Sequence, residues 1–429
     1  MKKKYRIILY TSIFLLCVVA SIILVVKKSN SVYEEESKPK VVKHKSMLSM
    51  NLEQTAGSGD YKTVTQSSWP TEGYKFNAEL SRCENGSTLS WDDTKKAVIV
   101  SGNLSDKCYV YFDIYQPTLA EYIKSQYTGT QGENNIYYHD SDLANGAGDN
   151  SYRYAGANPN NFVCFGTIES PCPIDNLYRI IGVFGENYHG ANGKQLVKLI
   201  KYDYMTTDEL GTDGDYSQTY KEWGMDSTYK GTYGDGERIG VYYWNYKATG
   251  SATNTWSTSL LNKTNLNTNF INNIGTTWAN KIATVTWKVG GNTWANIGTK
   301  TSSVAYTNEI TNPVTTNTTD NATTYSAKIG LMYVSDYGFA ASPDAWTLTM
   351  SSYNNTTATN NNWMYMGLYE WTISRYADDS DAAFRVYSVG GVGSVNVLSN
   401  YGVRASFNLE SSVSYVSGSG SMSDPIVIN

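Results

Sequence analysis

The sequence predicts an α+β fold, and three features carry that expectation. Short runs in which apolar and polar residues alternate, each bounded by Gly, Asn or Asp, recur along the chain and read as strands and hairpins. In SLLNKTNLNTNFINNI and the residues after it, Leu266, Phe270, Ile274 and Trp278 recur four residues apart, the spacing of one apolar helix face. The N-terminus differs from both: an uncharged run from Ile7 to Val26 follows Lys2-Lys3-Lys4-Tyr5-Arg6 and has about the twenty residues a helix needs to cross a bilayer.

Residues 1–28 therefore read as a membrane anchor with its basic start inside and the rest of the chain outside. Lys27-Lys28-Ser29-Asn30 follows the run where a small-x-small cleavage site would stand, which favours an uncleaved anchor; a cleaved signal peptide would also leave the remainder extracellular. Residues 29–68 are polar, with Glu34-Glu35-Glu36 and Gly57-Ser58-Gly59 and no sustained apolar period, and read as a flexible stalk. Over 69–115 the runs YKFNAEL, STLSW, AVIVSG and KCYVYFDI predict a small four-strand β-module. Its apolar content is low for an independent core, and a Cys83–Cys108 disulfide would staple it; two buried free thiols are the alternative.

Residues 116–161 read as a short helix and a linker. Thr118 can cap a helix through Leu119, Tyr122, Ile123 and Tyr127, and a Gly/Asn-rich stretch follows. Its Asp140-Ser141-Asp142 lacks the ordered acidic spacing and closing Glu of a calcium loop, so it reads as solvent-facing. The main domain is expected over 162–429. Cys164 and Cys172 bracket FGTIESP at a spacing that suits a loop-closing disulfide. LYRIIGVF (177–184) and QLVKLIKYDY (195–204) form a hairpin of almost continuous apolar character, as expected at the covered centre of a sheet. The helix just described, a strand in ATVTWKVGG, a Thr/Asn-rich loop over 299–324 and a buried strand in IGLMYVSDYGFA come next. The closing stretch places a hairpin at Phe384–Val389 and Ser394–Leu398 around Gly390-Gly391-Val392-Gly393. A third strand has Val403, Ala405, Phe407 and Leu409 on one face and Arg404, Ser406, Asn408 and Glu410 on the other.

EWTIS ahead of that hairpin and GVRASFNL after it, with DNSYRYAGANPNNFVCFG, CPIDNLYRIIGVF, LVKLIKYDY and WSTSLLNKTNLNTNFINNIGTTWANKIATVTWKVGG upstream, resemble a large, mostly uncharacterised family of membrane-anchored bacterial surface proteins. The resemblance covers most of the chain beyond about Trp69 and implies a C-terminal domain similar to the C-type-lectin and formylglycine-generating-enzyme fold. Two positions depart from the family pattern, Arg375 after EWTIS and Ala405 after GVR, where the family has proline; each leaves an extra backbone N–H to satisfy.

A formal charge of −5 and the lack of a Lys/Arg cluster beyond the N-terminus give no footprint for nucleic acid. The three histidines, His44, His139 and His189, lack ligand spacing, and neither G-x-S-x-G nor a Cys/His pair is present; no metal, cofactor or catalytic residue is expected. Formylglycine chemistry would need cysteines after Cys172, and calcium-dependent sugar binding would need a Glu-Pro-Asn or Gln-Pro-Asp tripeptide; the chain has neither. By fold analogy the ligand-facing candidates are two loops. One carries Arg375, Tyr376, Asp378, Asp379 and Asp381, which a bland reading makes a solvated acidic turn; the other carries Asn400 and Tyr401. Arg404 could clamp a ligand carboxylate or pair with Glu370 or Glu410. The expectation is a surface-displayed binding or adhesion protein for an extracellular protein or glycan. An extracellular glycan hydrolase using Glu370 with the acidic loop, and a purely structural envelope protein, are the alternatives.

Overall fold

In the computed structural model of the protein, most of the alternating runs become short strands, and helices pack beside them in an α+β arrangement. Residues 48–429 are described, apart from 66–67, 71–72, 104, 186–188, 192, 225, 248–251 and 313–321. The expected anchor over 1–28 and the stalk as far as residue 47 lie outside the described residues, as does His44. Among the described residues no helix is long and apolar enough to cross a membrane. The chain divides into two compact units, Met1–Gln116 and Pro117–Asn429.

The first unit has more strands than its sequence pattern suggests. One sheet has the order Tyr61–Val64, Leu48–Glu53, Cys108–Ile114, Tyr74–Phe76, with Arg82–Cys83 also paired to Cys108–Ile114; Thr88–Asp92 and Ala97–Ser101 form a separate hairpin. Residues 48–64 thus belong to the module, not to a stalk. Met50 and Leu52 share a buried face with Val110 and Phe112, because Leu48–Glu53 runs parallel to the central strand and covers its open side. Two apolar residues in alternation are too short a signal to separate from a polar linker. Cys83 and Cys108 are directly opposed in the ladder and joined by a disulfide.

The second unit opens with a helix over Leu119–Ser125, capped reciprocally by Thr118 and Glu121. Its main sheet has the order Ile329–Gly330, Ser406–Asn408, Leu196–Lys201, Leu177–Phe184, Ser151–Tyr154, Ile136–His139, with Phe162–Cys164 also on Leu177–Phe184. Every residue of Leu177–Phe184 and Leu196–Lys201 is buried, as the continuous apolar pattern predicts. The Cys164–Cys172 disulfide is formed. A four-stranded sheet contains Gly291–Asn292, Glu370–Tyr376, Ala382–Val386 and Val392–Asn396, and a three-stranded one Tyr216–Thr219, Gly240–Tyr243 and Asn400–Tyr401.

Several expectations are corrected. The hairpin turns over 387–391, so Val392 and Gly393 lie within a strand; in a glycine-rich run more than one residue can adopt the turn, and Gly390 is the one at positive φ, 97°. The strand at Ser406–Asn408 joins the main sheet instead of the hairpin's sheet, and its polar face is as buried as its apolar one. The helix expected near 257–274 is a widened π-helical segment over Leu261–Phe270 followed by Ile271–Ala279. Asn262 and Asn265 turn inward beside Leu261 and Leu266 and donate to the carbonyls of Trp256 and Leu210. The run IGLMYVSDYGFA is a strand only at Ile329–Gly330 and a buried helix over Val334–Phe339, a distinction that a short apolar run cannot make. Residues 299–324 hold a helix from Ser302 to Thr311.

Candidate functional site

The acidic loop is built from beneath. Asn254 donates its amide N–H groups to the carbonyls of Tyr376, Asp379 and Ala382, and its backbone N–H to Ser380. Asp378 and Asp379 point to solvent, and the half-buried Asp381 accepts from Asn396. Hydrogen bonding to Asp379, then burial, then the Asp379 charge raise the Asp381 pKa. Arg375 does not stand on this lip. Its strand is flanked on both sides by neighbours, and the buried guanidinium lies against Gly291, where a Cβ would come within 2.8 Å of its central carbon. Tyr376 packs edge-on against Phe384. The second loop belongs to another sheet, in which Asn400 donates to Ser217 Oγ at 3.0 Å and Tyr401 is buried.

Tyr401 leads to a cluster that the sequence pattern did not single out. In the strand Ala382–Val386, Arg385 lies opposite Trp371 on one neighbour and Gly393 on the other. Gly393 leaves room for Tyr387, whose ring a Cβ there would approach to 2.4 Å. The Arg385 guanidinium therefore lies 4.0 Å from the Tyr387 ring centre, 5.0 Å from Tyr401 and 5.1 Å from Tyr369. Tyr369 and Tyr401 stack at 5.1 Å, Trp223 meets both edge-on, and Trp371, whose indole N–H donates to Tyr242 O, leans on Tyr401.

Arg385 is 8% exposed, and its Nε and Nη1 are buried with no hydrogen-bond partner among the described residues. Arg153, Arg238 and Arg404 each pair with a carboxylate; Arg385 has rings alone. Cation–π attraction stabilises the charge without consuming its N–H donors. Trp223, Tyr369 and Tyr387 are half-buried, so the cluster reaches solvent. Burial raises the Tyr401 phenol pKa, and the Arg385 charge works against that rise. An Arg among aromatics in one strand was visible in the sequence; that Tyr369, Tyr387 and Tyr401 converge on it was not, since three separate segments supply them.

Several other buried charges are paired, whereas buried Arg179 donates to Asn161 Oδ1 and to the carbonyl of Pro159. Glu370 is buried and accepts from Arg404 Nε and Nη2 at 2.8 and 2.9 Å, which takes it away from any partnership with the acidic loop. Arg153 pairs with Asp149, and Lys198 with Asp336. His139 and His189 are both buried, and burial lowers the pKa of each. Among the described residues no group of three His, Cys, Asp or Glu side chains could hold a metal ion.

No family model, curated protein or solved structure matches the chain.

Proposed function

We propose that the protein is a surface-displayed binding protein, anchored by its N-terminal apolar run, whose C-type-lectin-like main domain captures an extracellular ligand bearing a carboxylate beside a flat or C–H-rich face, as an acidic sugar does. The observation that carries this reading is the Arg385 guanidinium, buried among Tyr369, Tyr387 and Tyr401 with unpartnered N–H groups. A buried cation without a counter-charge is costly, and a ligand carboxylate would relieve that while the tyrosine faces stack on the ring that carries it. Two disulfides suit an oxidising compartment outside the cell. Burial of Glu370 under Arg404 weighs against the hydrolase alternative.

The test titrates the full chain with glucuronic acid and with N-acetylneuraminic acid, and in parallel with their neutral methyl esters, by isothermal titration calorimetry. The free acids should bind at least tenfold more tightly than the esters, which corresponds to about 1.4 kcal/mol. Arg385→Lys, which keeps the charge but loses the fork, should erase most of that preference while leaving the circular dichroism spectrum unchanged. Equal affinity for acid and ester would sink the proposal.

A further inference from the structure

The C-terminal unit also contains a cavity of about 360 Å³ lined chiefly by Tyr122, Gln126, Asn134, Asn135, Tyr154 and Asn160. Its volume lies within the roughly 300–1,000 Å³ of small-molecule sites and would otherwise hold about a dozen waters. None of its lining residues carries a charge at neutral pH, so the space offers an ion no counter-charge. What the lining offers is amide and phenol groups, donors and acceptors together, beside an aromatic face.

Tyr154 supplies the second observation. It is 4% exposed and lines the cavity. Burial, with a smaller push from Tyr122, holds its phenol well above the ordinary value, so it presents an O–H and not a phenolate. Asn135 is held at its backbone, where its main-chain carbonyl accepts from Ala155 N–H at 3.0 Å, and no hydrogen bond to its side-chain amide is made among the described residues. Tyr122 is held in place by stacking on Tyr415 at 3.7 Å and 7°. A phenol and an amide that line one polar space suit a ligand that both donates and accepts.

We infer that this cavity is a second binding site, independent of Arg385, for one neutral, hydroxyl- or acetamido-bearing sugar residue. Vicinal hydroxyls would exchange hydrogen bonds with the Tyr154 O–H and the Asn135 amide, and the uncharged lining would discriminate against sugar acids. The two sites differ in the sign of that preference.

The experiment is saturation-transfer NMR on the full chain with methyl glucoside, methyl galactoside and N-acetylglucosamine, with glucuronic acid as the charged comparison. At least one neutral sugar should bind saturably. Tyr154→Phe, which removes only the hydroxyl, and Asn135→Gly, which tolerates the positive φ of 58° at that position, should each weaken it about tenfold without lowering the melting temperature by more than a few degrees. Arg385→Lys should leave neutral-sugar binding unchanged, which separates failure of this site from failure of the Arg385 site. Absence of saturable binding for all the neutral probes, or binding that Tyr154→Phe and Asn135→Gly both leave unchanged, would reduce the cavity to a water-filled space and overturn the inference.

Discussion

At the scale of single residues, a buried guanidinium persists only where something answers its charge, and Arg404 and Arg385 are answered differently. Arg404 is answered by Glu370, with a further bond to Met364 O; Arg385 is answered by rings. Arg404→Ala should therefore destabilise by about 3–5 kcal/mol in chemical denaturation, because it strands a buried carboxylate. Arg385→Gln should cost far less, since it strands none. The histidines set a pH dependence. Burial, aided by the Arg153 charge, holds His139 well below its usual value, and burial also lowers His189. The unfolded chain takes up these protons near pH 6.5 and the folded chain does not, so stability falls as pH drops through about 6.5 toward the folded values. Asp149 and Asp336 are held low despite burial, by Arg153 and by Lys198, so what they contribute is lost at still lower pH, as pH falls through their folded values. Burial raises Glu309 and Glu370, which opposes the decline from the unfolded carboxylate range upward to their folded values. Melting temperature measured against pH should begin to fall near 6.5, and His139→Gln should flatten that first step; a profile level from 7 to 5 would contradict this accounting.

At the scale of elements, one side chain shapes the acidic turn. Asn254 satisfies three carbonyls of the 376–382 loop, and at about 1 kcal/mol per bond Asn254→Ala should lower stability by about 2–3 kcal/mol. Thermal unfolding measures the loss, and limited proteolysis at 378–381 should quicken with it. Elements whose signals are local were legible. Thr118 and Glu121 mark the helix at Leu119–Ser125, and the apolar runs at 177–184 and 195–204 mark the hairpin, because a cap or a sheet-centre strand is specified within a few residues. The helix at Val334–Phe339 was not legible, since every one of its residues is buried and a short, wholly covered run shows no period to tell helix from strand. The buried Arg375 was misplaced for a similar reason: its cover comes from Gly291 on a distant strand.

At the scale of the whole molecule, four of the five cysteines are used within the two units, one disulfide in each, which leaves Cys17. Protein denatured without reductant and treated with iodoacetamide should carry a single label, at Cys17, by mass spectrometry, and labels at Cys83 or Cys164 would place the chain in a reducing compartment. The sequence by itself determined the α+β class, the cysteine pairs, the best-capped helix and the strands at the sheet centre. Each of these is written in the period of apolar residues or in the chemistry of neighbouring side chains. Tertiary structure alone decided which sheet received the strand at Ser406–Asn408, that Arg404 faces Glu370, and that Arg385 lies among Tyr369, Tyr387 and Tyr401. The physical reason is that alternation tells which residues share a face of a strand, whereas what that face meets is fixed only when distant segments compete to cover it.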